Sequence, residues 1–596
     1  MNRAPKMISN RPHLAAVVAG LVFLAVAARA DNPNSIIYSK HNLSVSSPGS
    51  VHANTETEVC IFCHTPHGAS ATDGPLWNHQ MSSAPYKPFT SPTLTALNVV
   101  IGQPNGSSRL CLSCHDGTIA LGSVSSRAGG IAMNTASLPL HTDLTADHPV
   151  SFVYNSALAT AASAYPAAGG LVDPGIPGAL PPEVVLDNGG QMQCTTCHDP
   201  HNNQYGSFLV LNNNDPLNPS ALCVACHSLP GWTGSAHATS SKLLPVALAN
   251  QLTQKKNGVQ SKGMVPSTSV GHTACASCHV PHAAGAKPAL MRFSNPEKNC
   301  VDCHAGEGPG KNVASEITKI SAHATLTRPD AHSPREDLVN PPERHVTCAD
   351  CHNPHAVGTA SGAYNQISGA LAAVAGVNAG GSPVSAITQE YELCFRCHGD
   401  SAKRGPAVVP RQFVQTNTRL EFNPGNVSFH PVETLGKNFS SPSLLSPLTS
   451  ASLIRCSDCH NSDQSPAAGG SGANGPHGSV FSPLLERRLL VTDGTPYNPG
   501  NFALCYKCHA SSVVDSSLAS SWSGHQTHIE QYRAACTTCH DSHAATQPHL
   551  INFNTAYVSP NQGVLNYLST GPNHGTCTLT CHDGSGQNKP HAAKSY

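Results

Sequence analysis

Charge and aromatic side chains are both scarce in this 596-residue chain: charged residues make up 11% and aromatic residues 5%. With 33 basic against 34 acidic residues the formal net charge is −1, so there is no basic field of the kind that holds a nucleic acid. After residue 30 no apolar run approaches the eighteen or so residues of a membrane-spanning helix. Methionine is nearly absent as well. Met1 and Met7 lie in the first 30 residues, which leaves five of the seven, and none recurs at a fixed distance from any other feature. No cysteine stands alone, because all 24 fall into twelve close pairs. That excludes a lipid-bearing cysteine at a cleavage site, and the chain is not a lipoprotein by sequence.

What is present is a repeat. Cys60-Ile61-Phe62-Cys63-His64 recurs as Cys111/Cys114/His115, Cys194/Cys197/His198, Cys223/Cys226/His227, Cys275/Cys278/His279, Cys300/Cys303/His304, Cys348/Cys351/His352, Cys394/Cys397/His398, Cys456/Cys459/His460, Cys505/Cys508/His509 and Cys536/Cys539/His540. The twelfth copy, Cys577/Cys581/His582, has one extra residue between its cysteines. Two cysteines followed at once by histidine form an attachment site for c-type haem, with two thioether bonds to the porphyrin and the histidine on iron. Disulfides would not require a histidine after every second cysteine. A closed zinc site needs four ligands at tetrahedral spacing, and a thioredoxin-like redox motif is normally single. The expectation is therefore twelve covalently attached haems.

Residues 1–30 read as a secretory signal, with Arg3, Lys6 and Arg11 before the apolar stretch Leu14–Ala27 and small residues at Ala28-Arg29-Ala30. Export fits the outcome that the signal and the haems imply: a periplasmic, outer-membrane-associated or extracellular protein. The remaining 566 residues give about 47 per motif, too few for each haem to have its own hydrophobic core. The expected fold class is a multihaem cytochrome c with little regular secondary structure. Short helices at the attachment motifs and long loops are expected around a chain of haems, which serves as the core. Pro/Ala/Gly-rich residues 157–182 and the Gly/Ala-rich stretch 361–385 are expected to be surface spacers. Each ferric haem with two neutral histidines and ionised propionates adds about one negative charge, so reduction should draw protons to nearby groups.

The repeat is doubled. Most odd-numbered motifs carry a second histidine three residues on: His67, His201, His282, His355 and His543. The chain divides into two-haem units at 31–135, 136–232, 233–312, 313–410, 411–515 and 516–596. Three residues span at most about 10 Å, too short to reach round a porphyrin to its other face, so the extra histidine is expected to ligate the neighbouring haem of a locked pair. The ninth motif lacks it, and His477 in Gly475-Pro476-His477-Gly478 is the substitute. A second donor per unit is expected upstream, at His41, His148, His237, His323, His430 and His525. Of the 35 histidines, one lies in the signal and twelve follow cysteine pairs, which leaves 22 for twelve distal positions. The alternates are His52, His79, His272, His345, His528, His574 and His591. Ligation by two histidines implies low-spin haems of generally low potential.

These stretches resemble a known family. Lys40-His41-Asn42-Leu43-Ser44 before the first motif, the run Leu110–Thr118, Asp147–Phe152, Tyr391–His398, Gly475–Ser479 and Cys577–His582 are similar to the doubled-CxxCH multihaem cytochromes of metal-reducing bacteria. The resemblance implies electron transfer across the periplasm or outer membrane rather than enzymatic catalysis. It also implies other c-type cytochromes or an outer-membrane porin–cytochrome complex as partners, and an extracellular acceptor such as a metal oxide. Association into filaments is open to it. No Cys-x-x-Cys-Lys, which marks the catalytic haem of some multihaem reductases, occurs in the chain.

Overall fold

The computed structural model describes residues 32–595 apart from 71–73, 135–139, 164–169, 214, 216, 245–254, 257–258, 261–268, 286–287, 307, 324–336, 341–345, 363–365, 403–406, 438–440, 515–521, 572–573 and 583–587. The signal segment 1–30, His345 and the side chain of His582 lie outside the described residues. Two compact units are present. The first comprises Met1–Tyr86, Gln103–Thr142 and Glu183–Leu211 and holds the first three attachment motifs. The second comprises Lys87–Gly102, Asp143–Pro182 and Asn212–Tyr596 and holds the other nine.

Regular structure is sparse, and most of it sits at the motifs. The longest helices among the described residues are Gly106–His115, Val270–Cys278 and Glu390–His398, each ending at an attachment motif. Cys194–Cys197, Cys348–Cys351 and Cys536–Cys539 are single α-turns, while Cys60–Phe62, Cys456–Asp458 and Cys505–Lys507 are 3-10 turns. One turn suffices because residues three apart on a helix share a face, which points both sulfurs the same way. Reciprocal capping starts several of these turns. At Thr347 the backbone N–H donates to Asp350 Oδ2 at 2.6 Å, and the hydroxyl donates to the same oxygen at 2.9 Å.

The twelfth motif departs from the expected helix. Cys577 and Cys581 lie on the strand His574–His582, the centre of a small antiparallel sheet with Val558–Ser559, Asn566–Gly571 and Asn588–Ser595. Thr576, Thr578 and Thr580 alternate with Cys577, Leu579 and Cys581, a period of two with β-branched residues on one face. The apolar face packs: Leu579 is buried with Ile551, Phe553 and Val558, and both cysteines lie against that cluster. The extra residue between the cysteines is what allows a strand to set both sulfurs on one side.

Apolar packing occurs as separate small clusters. One joins Val377, Phe395, Phe422 and Val432; another joins Phe502, Val514, Ile529 and Ala535. The two stretches expected to be surface spacers are packed in part among their described residues, and exposed elsewhere. Residues Ser156–Ser163 form a helix burying Leu158, Ala159 and Ala162, and Val377 is fully buried against the helix Glu390–His398. Their alanine and valine content supplies helix propensity and apolar surface where Gly and Pro alone suggest open loop. Among the described residues no helix is long and apolar enough to cross a membrane.

Candidate haem sites

None of the 24 cysteines is in a disulfide. In each odd-numbered motif the histidine leaves the turn in extended backbone, as at His198, His279, His352 and His540. Its Nδ1–H meets a backbone carbonyl downstream. The acceptors are Pro75 for His64 at 3.0 Å, Ser207 for His198 at 2.9 Å, Ala289 for His279 at 2.7 Å, Ala370 for His352 at 2.8 Å, Pro483 for His460 at 3.0 Å and His549 for His540 at 2.9 Å. Donation from Nδ1 leaves the Nε2 lone pair for a metal and fixes the ring's orientation.

The second and eighth motifs differ in lying on helices that run through the motif histidine. Cys397 is half-buried inside the helix Glu390–His398, which carries on through His398 instead of ending at the second cysteine. The helix also brings Cys397 close to the preceding motif. Burial, then Asp350, Cys394 and Cys397, push the Cys351 thiol up to about 12. Gln389 and Glu392 cap the start of this helix, and Arg396 near its end reaches Asp350 in the turn Cys348–Cys351.

Tight backbone creates the carbonyl acceptors of the odd motifs. Leu76, Phe208, Leu290, Leu484 and Leu550 all take positive φ between 50° and 58°, a conformation that costs a non-glycine residue about 1 kcal/mol. Hydrogen bonds hold it: the N–H of Thr65 donates to Leu76, that of Asp199 to Phe208, that of Val280 to Leu290 and that of Asp541 to Leu550, at 2.8–2.9 Å. A bulky apolar residue some ten residues after a motif is a signal that spacing arguments about cysteine and histidine pass over.

Ten motif histidines face a second imidazole from elsewhere in the chain. In the first compact unit His41 faces His115 with ring centroids 6.1 Å apart, and His201 faces His64 at 6.2 Å. In the second unit the pairs are His148/His227 at 6.3 Å, His237/His304 at 6.4 Å, His355/His279 at 6.1 Å, His323/His398 at 6.4 Å, His477/His352 at 6.0 Å, His430/His509 at 6.5 Å, His543/His460 at 6.2 Å and His525/His540 at 6.3 Å. A metal about 2 Å from each nitrogen separates opposed imidazole centres by roughly 6 Å. The spacing thus fits an iron between each pair.

These pairs obey a rule. A third-position histidine faces the odd motif of the preceding doublet, not the other motif of its own doublet: His201 faces His64, His355 faces His279, and His543 faces His460. His477 faces His352 in the same manner. The even-motif histidines His115, His227, His304, His398 and His509 each face an upstream histidine, which in turn docks beside a third-position histidine. The Nδ1–H of His237 donates to the Pro354 carbonyl at 2.8 Å, that of His323 to Pro476 at 2.9 Å and that of His430 to Ser542 at 2.5 Å. For His41 the acceptor is Pro200 at 3.4 Å. His148 uses its backbone N–H, which donates to Pro281 at 2.8 Å.

A second contact alternates with the first. Cysteine sulfurs of consecutive motifs adjoin within hydrogen-bonding reach at Cys111/Cys194 in the first unit, and at Cys223/Cys275, Cys300/Cys348, Cys394/Cys456 and Cys505/Cys536 in the second. Polar side chains lock neighbouring motifs together. Arg396 pairs with Asp350 at 3.0 Å, both buried, and Glu390 accepts from the N–H and hydroxyl of Ser457 at 2.8 and 2.7 Å.

The remaining candidates divide as follows. His67 is exposed. His282 Nδ1 lies 3.3 Å from Asp147 Oδ1. His528, on a π-helical turn Thr527–Gln531, faces His591 at 6.1 Å. His79 is buried with both ring nitrogens on backbone carbonyls, Gln80 at 3.0 Å and Ala120 at 3.2 Å, which occupies it structurally. His52 Nδ1 is 3.0 Å from the Ala53 carbonyl, His272 lies within the helix Val270–Cys278, and His574 is exposed on its strand.

Burial prepares several rings as ligands. It pushes His227, His355, His460, His477, His509 and His525 down to about 4, helped by neighbouring histidines, so these imidazoles are neutral at physiological pH. His543 moves the other way. Burial opposes its charge, but the Glu421 carboxylate, 3.1 Å from Nδ1, more than compensates and raises it.

Comparison with known families fits this geometry. The model of the doubled CXXCH motif matches residues 188–229 and 268–308, each span holding one odd and one even motif. The chain thus carries a doubled CXXCH motif, which suggests covalent haem c and electron transfer, and its many CxxC pairs are consistent with a multihaem c-type cytochrome. A search of curated proteins returns no match.

Proposed function

We propose that the chain is a dodecahaem c-type cytochrome, exported from the cytoplasm, that conducts electrons along a row of haems each held between two histidines. Bound haem supplies the one-electron iron couple, and the polypeptide sets spacing, ligation and potential. The observation that carries the reading is the set of ten opposed imidazole pairs at 6.0–6.5 Å, each joining a motif histidine to one from elsewhere. Sulfur contacts alternate with ligand contacts along each compact unit, so that successive sites adjoin. The histidines that cap both faces leave a substrate no iron to bind at these ten sites, which favours conduction over catalysis.

The physiological setting we assign is anaerobic or extracellular respiration. The electron partners would be other c-type cytochromes or a porin–cytochrome complex, and the final acceptor a metal oxide. A pyridine haemochrome assay combined with reductive titration and electron paramagnetic resonance tests this. About twelve haems per chain, all low-spin, are expected from the motif count. Several high-spin irons in the native protein, or turnover of a small-molecule oxidant blocked by iron ligands, would refute a pure conduit.

A further inference from the structure

The internal repeat also specifies what covers each third-position histidine. In the second compact unit, residues just before an upstream histidine lie antiparallel to those just after a third-position one. Ala322 pairs with Gly478 before His323 and after His477, and Phe429 pairs with Ala544 before His430 and after His543. The Ala236 N–H donates to the Val357 carbonyl and the Ala284 N–H to the Ala146 carbonyl, the same contact beside His237/His355 and His148/His282. In the first compact unit Ser35 bridges Asn202 beside His41/His201. Each contact has a short strand or strand-like bond and a ring bonded to the carbonyl before the third-position histidine or a backbone bond in its place; at His201, His355, His477 and His543 that histidine also turns toward another motif.

The first motif has this half-interface without its cover. His67 follows Pro66 as His201 follows Pro200, and it is exposed. Among the described residues its ring meets no partner, and the Pro66 carbonyl and the backbone of Gly68 and Ala69 make no hydrogen bond. The histidine and the strand edge that elsewhere meet an upstream segment are thus uncovered among the described residues.

We propose that His67, with the edge Gly68-Ala69, is the donor half of an intermolecular contact: its imidazole enters the sixth coordination position of a haem in a partner c-type cytochrome, whose own strand ending in histidine pairs along Gly68-Ala69. This rests on the haem reading above. The partner is a different protein rather than a second copy, because the matching acceptor at the other end of the repeat, His540, already faces His525 at 6.3 Å. Electrons then enter or leave at the first motif through a ligand shared between two chains.

A haem c peptide with a single axial histidine serves as probe, titrated onto the holoprotein and followed by its conversion from high to low spin. One equivalent should bind per chain. His67→Ala should weaken binding at least about tenfold, Ala69→Pro should weaken it by removing a strand N–H, and His141→Ala, at another exposed histidine of the same compact unit, should bind as wild type. Equal binding by His67→Ala would overturn the proposal. So would a new high-spin iron in that variant before the probe is added, since His67 would then serve its own chain. Self-association of the wild type that vanishes in His67→Ala would overturn the choice of partner. Haem content and spin state of the untreated wild type judge the functional reading separately.

Discussion

His477 and His352 face each other with ring centroids 6.0 Å apart and planes inclined by 19°. The ninth motif lacks a third-position histidine, and the loop that reaches Gly475-Pro476-His477 restores one at the place it would have occupied. Replacing His477 with Ala should free one coordination position at the site of Cys348 and Cys351. The expected result is one high-spin iron per chain that binds carbon monoxide when reduced, with the other irons unchanged. A fully low-spin spectrum in the variant would remove His477 from the ligand set.

The buried pair Arg396/Asp350 ties the seventh motif to the eighth, and Arg396 also donates to the Asp350 carbonyl at 3.1 Å. Arg396→Ala leaves a buried carboxylate without its cation and should cost about 3–5 kcal/mol. Arg396→Met together with Asp350→Asn, which removes the charge but keeps an acceptor for Thr347, should recover part of that loss. Thermal unfolding of the holoprotein followed by circular dichroism measures both. A melting temperature for Arg396→Ala equal to that of the wild type would show the pair to be energetically idle.

Leu76 is an exposed residue at φ 55° whose carbonyl accepts from Thr65, next to the acceptor of His64. Glycine tolerates that conformation, so Leu76→Gly should be neutral or stabilising by up to about 1 kcal/mol, whereas Leu76→Val should destabilise by a similar amount. The contrast in denaturant midpoints between the two variants is the measurement. Equal midpoints would show that the backbone there relaxes without cost.

Burial pushes the Glu433 carboxyl up to about 7 against the opposing pull of Arg419, and its Oε1 is buried without a hydrogen-bond partner among the described residues. The neutral form is the one the fold favours. Its contribution to stability is complete below the ordinary carboxylate range, near pH 4.5, and is lost as pH rises through about 7. Reduction of nearby irons adds negative charge and should favour proton uptake at Glu433. The reduction potential should therefore fall with rising pH around neutrality, and Glu433→Gln should flatten that slope. A slope unchanged in the variant would assign the proton elsewhere.

Much of the site was legible because covalent attachment leaves a strict local signature. Cysteine spacing named the twelve pairs, and the chemistry of Pro-His or Ser-His after a motif singled out His201, His355 and His543, which the structure sets against other motif histidines. What spacing could not say is which motif each of these faces. That depends on the return path of the chain, and His201 turns to His64 only because residues 34–35 and 202–203 lie side by side. Nor could it say that Arg396 pairs with Asp350, since that closeness comes from how one helix lies against the turn of another motif. The strand at Cys577–Cys581 was hidden by the habit of reading this motif as helical, although alternation of Thr with Cys and Leu announces it. Val377 was hidden in a Gly/Ala-rich stretch whose composition resembles a spacer, yet a single valine against Phe395 is enough to anchor it.

The facing of each odd motif toward a later doublet sets an order in time. In a chain growing from its N-terminus, His279 waits for His355, and His352 waits for His477. At every stage of synthesis one site lags behind and is completed by the segment that follows, so that assembly advances like a ratchet and a truncated product carries its defect at the tip. His540 ends the sequence of waiting, because His525 lies upstream and is already in place when Cys536 emerges.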